Sequence, residues 1–117
     1  MRKIRVEPGI TAEMLSDLAN QWQQCDNVTL VMPDQLSGEE INYLFSLVLE
    51  ILPMDFGFCV LQELAEREKV SEEILSIILS CGDRVCIESV CLREDLSSEL
   101  KRVCESMSLH LLDQQKQ

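Results

Sequence analysis

Six cysteines are the side chains of this 117-residue chain with the widest range of possible chemistry. Four of them, Cys81, Cys86, Cys91 and Cys104, are separated by four, four and twelve residues. Zinc sites use more closely paired cysteines, and on one helix Cys86 and Cys91 would point about 140° apart. We therefore expect buried free thiols that pack as small apolar groups, with no metal ion and no cofactor. A thiol-dependent redox enzyme using Cys81, Cys86 or Cys91 is the alternative of a different class.

The other titratable groups do not form a recognisable catalytic set. The single histidine, His110, lies at the edge of the apolar face of the last predicted helix, which favours a packing role over that of a base. Neighbouring acids such as Glu39 and Glu40 would point about 100° apart on a helix, so they do not make a general acid–base pair. The four glycines are too scattered for a phosphate-binding loop. The sequence predicts no catalytic residue and a protein that is not an enzyme.

The charge balance narrows the range of partners. Twenty-one acidic residues against ten basic ones give a formal net charge of −11. Such a chain repels nucleic acids and anionic membrane surfaces, so neither is expected as a partner. The first residues are not followed by the apolar run of a secretory signal, and no apolar stretch is long enough to span a bilayer. We therefore expect a cytoplasmic protein.

The acidic residues are unevenly distributed along the chain. Residues 1–5 contain three bases, whereas residues 6–66 contain eleven acids and neither lysine nor arginine. The simplest interpretation is that these acids keep the protein soluble. The more specific interpretation is that they form an electrostatic surface for a basic protein partner. The candidate partner-binding acids are Glu13, Asp17, Asp34, Glu39, Glu40 and Glu50.

A repeated motif predicts how the chain is organised. It occurs at residues 4–15, 30–41, 64–75 and 90–101, and each copy places an aliphatic residue before a hydroxyl or acidic helix start. The predicted helix caps are Thr11, Ser37, Ser71 and Ser97, with Asp95 as the alternative cap of the fourth copy. Ser37 and Glu40 have the spacing of a capping box. Each copy therefore predicts a joint between a shorter element and a longer helix.

The predicted helices lie near residues 11–24, 37–52, 71–80 and 97–112, with shorter elements near 58–66 and 84–92. Pro53 and Gly57 predict a break after the second helix. Apolar residues surround the second helix on nearly all sides, which predicts a central position in the core. Trp22 shares the apolar stripe of the first helix, so we expect it to pack in the core.

The segment from Gly82-Asp83-Arg84-Val85 to Leu100 resembles the HEAT-like repeats, most closely the leucine-rich repeat variant. The resemblance implies a short right-handed helical solenoid of about four helix pairs that binds other macromolecules and has no catalytic residues. The predicted fold is accordingly all-α, in a single domain over residues 1–117. A small α/β domain with strands near 4–6, 28–32 and 85–90 is the alternative, because these segments are rich in β-branched residues.

The functional prediction combines this fold with the charge pattern. We expect a non-enzymatic protein–protein interaction module, an adaptor or scaffold, that presents a helical-repeat surface with a strongly acidic N-terminal half. A small acidic inhibitor, immunity protein or secretion chaperone that masks a basic effector is the alternative. A homo-oligomer is a further alternative, since a short solenoid leaves both of its ends uncovered.

Overall fold

The computed structural model describes the backbone of residues 2–115 and the side chains of residues 2–107. This part of the chain is mostly helical and begins with a small two-stranded sheet. None of its helices combines the length and apolarity needed to cross a membrane. The elements in chain order are β1 (Arg2–Arg5), α1 (Ala12–Gln24), β2 (Val28–Val31), α2 (Gly38–Leu49), α3 (Asp55–Ala65), α4 (Glu72–Cys81), α5 (Arg84–Cys91) and α6 (Ser98–Gln115).

The sheet corrects the all-helical prediction for the first part of the chain. β1 and β2 run parallel in a register from Arg2 opposite Val28 to Arg5 opposite Val31, and α1 forms the crossover between them. The β-branched side chains in β2 have less χ1 freedom in a helix than in a strand, which favours the extended form. Strands thus form near the alternative positions 4–6 and 28–32, as Arg2–Arg5 and Val28–Val31, while the other elements of the described chain are helices as predicted.

The third predicted strand, near 85–90, is wrong because this segment is helix α5. The Asp83 carboxylate accepts a hydrogen bond from the Cys86 amide at 3.0 Å and caps the helix. Val90 and Cys86 then lie on the buried side of α5. The cap and this spacing of buried residues outweigh the β-branched composition.

Four hydroxyl-bearing residues cap α1, α2, α4 and α6 as predicted. Each side-chain oxygen accepts a hydrogen bond from the amide three residues later, at distances of 3.1–3.3 Å; the caps are Thr11, Ser37, Ser71 and Ser97. Ser37 also forms the predicted capping box with Glu40. The alternative cap Asp95 is wrong, since its carboxylate binds the guanidinium of Arg93.

The centre of the core is α3 and not the predicted α2. Helix α3 contacts α1, α2, α4 and α5, whereas α2 has an exposed side that includes Tyr43 and Leu49. At the start of α3, Gly57 lies close to the preceding turn, since a Cβ there would lie 3.0 Å from Cδ2 of Leu52. Gly57 therefore belongs to α3, although the sequence predicted it in the break before the helix.

Two arginines connect successive joints. The Arg67 guanidinium donates to the Asp34 carbonyl at 2.9 Å. The Arg93 guanidinium, 26 residues further on, donates to the carbonyls of Ala65 and Arg67 at 2.7 and 2.8 Å. These bonds satisfy carbonyl oxygens in the segments that connect one element to the next.

Candidate functional site

The candidate site is a groove at the carboxyl ends of the two parallel strands. In open α/β sheets, ligands bind in the crevice outside the carboxyl ends of the strands, where the connecting segments leave the sheet. Two cavities of about 400 and 340 Å³ adjoin there and share Val31, Met32 and Asp34 in their walls. We call this surface the acidic groove and define it by its four carboxylates, Glu7, Asp34, Glu63 and Glu66.

Three different parts of the fold supply these carboxylates. Glu7 follows β1, Asp34 follows β2, and Glu63 and Glu66 lie at the end of α3. The parallel pairing of the strands places the first two at one edge, and the packing of the α3 end beside β2 adds the other two. Glu7, Asp34 and Glu66 are exposed, while Glu63 is half-buried.

Arg67 holds one side of the acidic groove together. Its guanidinium binds the Asp34 carbonyl and forms an ion pair with Glu63 at 3.3 Å. Its side chain is only 16% exposed, so it serves the packing of the groove wall. Glu66 accepts a hydrogen bond from the Ser89 hydroxyl at 3.4 Å, a neutral partner that leaves its charge in place.

The charge balance of the acidic groove remains negative. Arg67 offsets Glu63, and Arg5 is the second base in the lining. The exposed carboxylates of Glu7, Asp34 and Glu66 therefore outnumber the one base that is not engaged by Glu63. Such a surface attracts cationic groups and repels anions.

The structure does not bring the six sequence-predicted acids into one site. Asp34 lies in the acidic groove, but Asp17 lines a different cavity beside β1 and α1. Glu40 is occupied at its own helix end, where it accepts a hydrogen bond from the Ser37 amide at 2.9 Å. The remaining three acids are exposed on or next to α1 and α2: Glu13, Glu39 and Glu50.

Sequence reasoning did not single out Glu7, Glu63 or Glu66 as a set. The position of Glu7 followed from the alternative strand near 4–6, since a residue just after a parallel strand lies at the ligand-binding edge. No local signal points to Glu63 and Glu66. Their place in the acidic groove depends on the end of α3 meeting β2, a contact between distant parts of the chain.

The thiols of Cys86 and Cys91 are held in their protonated form. Burial, together with the nearby Asp83, raises the pKa of Cys86 to about 12, and its Sγ lies 3.2 Å from the Phe58 carbonyl, to which it donates. Burial and the neighbouring Cys104 raise the pKa of Cys91 to about 12 as well. These are the surroundings of structural cysteines and not of nucleophiles.

The remaining cysteines and the other predicted packing residues are placed as follows. Burial raises the pKa of Cys59 and of Cys81. Among the described residues, no group of three or more potential ligands is placed to hold a metal ion. Trp22 is half-buried, and its ring centroid lies 5.4 Å from that of Phe56. The side chain of His110 lies outside the described residues.

The fold and the acidic groove define a mostly helical chain with a β-α-β start and an anionic surface at its strand ends. No family model, curated protein or solved structure matches this chain. The resemblance to HEAT-like repeats therefore stays a prediction from the motif. The function of the chain is therefore inferred from its own contacts and charges.

Proposed function

We propose that this chain is a non-enzymatic protein-interaction module whose acidic groove receives a basic segment of a partner protein. The observation that supports this most is the convergence of exposed carboxylates from separate elements at one concave edge, represented by Glu7, Asp34 and Glu66. Complementary charge at such a surface speeds association and excludes partners of the wrong sign. Residues 6–66, which supply all four carboxylates of the acidic groove, contain neither lysine nor arginine, and the bases in its lining are Arg5 and Arg67.

A short helical-repeat scaffold is part of this proposal. The hydroxyl caps recur at the four predicted joints, and Arg67 and Arg93 make similar bonds to the preceding segments at a spacing of 26 residues. Nearest-neighbour contacts of this kind are typical of repeat proteins. The six cysteines are unpaired, which favours a reducing, cytoplasmic location.

A dedicated inhibitor that masks a basic effector is the second candidate, since the acidic groove suits either kind of basic partner. The two differ in what binding does to the partner. An adaptor leaves the activity of its partner intact, whereas an inhibitor removes it. The thiol-dependent enzyme is disfavoured by the high pKa values of Cys86 and Cys91, because the thiolate is the reactive form.

The test compares two neutralised variants as bait for partner capture from cells that produce the protein. Asp34→Asn with Glu66→Gln removes charge from the acidic groove but keeps the shapes and the acceptor for Ser89. Glu94→Gln with Glu105→Gln removes the same charge from exposed positions elsewhere. We expect a protein that binds the wild-type chain and the control pair but is lost from the groove pair.

The association rate of that partner should fall as salt is raised, because exposed charges are screened. An association rate that does not change with salt would count against the acidic groove as the recognition surface. Recovery of no protein partner, together with turnover of a substrate by the purified chain, would refute the proposal as a whole.

A further inference from the structure

The outer edge of β1 carries main-chain groups that no other strand covers in the described part of the chain. The amides of Arg2 and Val6 donate across to the β2 side at 3.1 and 3.0 Å. Because a parallel ladder uses alternate residues, the amides and carbonyls of Lys3 and Arg5 point away from β2. Both residues are exposed. Their main-chain groups are therefore placed to pair with an added strand.

A cavity of about 530 Å³ lies beside this edge. Its lining comes from the β1 end and from one face of α1 and includes Arg5, Glu7, Met14, Asp17, Leu18 and Gln21. The lining contains no residue of β2, so the cavity lies on the outer side of β1. Met14 is 56% exposed although it is apolar. A strand edge beside an apolar helix face is the arrangement that binds extended peptides by strand addition.

A second copy of this chain does not fit the edge. Two β1 strands paired with each other would set Lys3 and Arg5 of one copy against the same bases of the other. Like charges on neighbouring strands are destabilising, and exposed lysine on an edge strand opposes self-pairing. The occupant is therefore a segment of different composition.

The side chains on the two faces of β1 indicate the composition of the incoming segment. Lys3 and Arg5 alternate with the buried Ile4 along β1, and Arg5 also lines the cavity, so both bases match acidic side chains on an incoming strand. On the other face the strand meets Met14 and Leu18, which favour aliphatic side chains. Glu7 and Asp17, also in that cavity, disfavour acids on that face. The chemistry thus selects alternation of acidic and aliphatic residues.

We propose that the β1 edge is a docking site for an extended segment of a partner protein in which acidic and aliphatic residues alternate. The segment adds a third strand beside β1, with its acids near Lys3 and Arg5 and its aliphatic side chains over Met14 and Leu18. This surface adjoins the acidic groove and shares Arg5 and Glu7 with its lining, but it also includes the α1 residues Met14 and Leu18, which the groove does not. It does not depend on the function proposed for the acidic groove.

The test uses the full chain and a short, end-capped peptide in which glutamate and valine alternate. Binding is followed by amide hydrogen exchange and by NMR titration. We expect the amides of Lys3 and Arg5 to become protected, because they donate to the added strand. The same peptide with N-methyl groups on its pairing amides should lose binding, since it keeps its side chains but cannot complete the ladder.

Two variants test the side-chain part of the site. Lys3→Glu, which leaves Arg5 of the acidic groove in place, should weaken peptide affinity by about threefold, which corresponds to one favourable cross-strand pair becoming repulsive. Met14→Glu, on the exposed face of α1, should weaken affinity without altering β1. Lys101→Glu reverses one exposed base on α6 and should leave affinity unchanged.

Several results would overturn the proposal. They are absence of binding, absence of protection at Lys3 and Arg5, equal binding of the N-methylated peptide, and equal weakening by the α6 control. Concentration-dependent pairing of the free chain through β1 would also overturn it, because a second copy would then be the occupant. None of these results bears on partner capture by the acidic groove, so the two proposals fail separately.

Discussion

The carboxylate of Glu72, at the start of α4, accepts a hydrogen bond from the main-chain amide of Ser97, the cap residue of α6, at 2.9 Å. In α2 the equivalent amide, that of Ser37, is bound by Glu40 of the same helix. Helix α6 has Leu100 at the corresponding position, so its capping box cannot close within the helix. A neighbouring helix supplies the missing acceptor, and the start of α6 is thereby tied to the start of α4.

We predict that Glu72→Ala lowers the free energy of unfolding by about 1 kcal/mol more than Glu73→Ala does. Both variants remove one exposed carboxylate from the first turn of α4, so their effects on the helix dipole are closely matched. The difference between them isolates the bond to Ser97. Urea unfolding of the two variants measures it, and equal stabilities would show that this bond contributes nothing.

The side chain of Arg93 connects two successive joints of the repeated motif. Its guanidinium is 10% exposed and binds the carbonyls of Ala65 and Arg67 as well as the carboxylate of Asp95. Lysine cannot reproduce this planar set of donors. We expect Arg93→Lys to destabilise the chain by about 2 kcal/mol, whereas Arg102→Lys at an exposed position should have little effect. Thermal or urea unfolding that shows no difference would contradict the contacts described.

The Arg93 guanidinium also holds the pKa of the Asp95 carboxyl below its ordinary value, mainly by hydrogen bonding. A depressed pKa in the folded state stabilises the fold above the ordinary pKa, and this contribution disappears as the pH falls through the folded value. We therefore expect the stability difference between the wild-type chain and Arg93→Met to shrink on acidification.

An NMR titration of the Asp95 carboxyl checks the same interaction directly. Its pKa should return toward the ordinary range in Arg93→Met, while the titration should be unaltered in Arg102→Met. An unaltered Asp95 titration in Arg93→Met would show that the ion pair is not formed in solution.

Local signals made the helix starts predictable from the sequence. A hydroxyl group such as that of Ser71, followed by acids, identifies a cap because its bond is to an amide only three residues away. The same holds for Ser37 and its capping box with Glu40. These bonds depend on neighbours in the sequence, so the correct helix positions followed without knowledge of the tertiary fold.

Contacts between residues that are far apart in the sequence were harder to predict. Val28 and Thr29 form a strand because β1 pairs with them across the α1 crossover, and the repeat pattern had favoured a helix there. The acidic groove forms only because the end of α3 packs beside β2, and no local sequence pattern predicts that contact. Of the sequence-predicted acids only Asp34 lies in the acidic groove, because charge content alone does not say which surfaces become concave.

The thiols give a prediction that bears on the alternative of a redox enzyme. With a pKa of about 12, Cys86 and Cys91 are almost entirely protonated at neutral pH, and only the thiolate reacts with alkylating reagents. We expect both to be labelled slowly in the folded chain and faster as the pH is raised. Mass spectrometry resolves the sites, and a urea-unfolded sample serves as the control. Rapid labelling of either thiol at neutral pH would favour the enzyme.

Gly82, between α4 and α5, provides a test of the packing at this joint. Its backbone dihedral angles, φ −77° and ψ 160°, suit any residue, so conformational freedom is not what requires glycine here. Space is the requirement: a Cβ would lie 2.7 Å from the Ile78 carbonyl oxygen and 2.8 Å from the Cβ of Cys86. Neither atom is the end of a flexible side chain, so relief requires the backbone at Gly82 to shift relative to α4 and α5.

We predict that Gly82→Ala destabilises the chain by about 1–3 kcal/mol, the usual cost of overpacking. Gly9→Ala is the matched control, because a Cβ there meets nothing within 4 Å. That change should be neutral or slightly stabilising, since alanine restricts the unfolded chain. Urea unfolding of the two variants compares them directly. If Gly82→Ala is as stable as Gly9→Ala, then α4 and α5 do not approach as closely as the Ile78 and Cys86 contacts require.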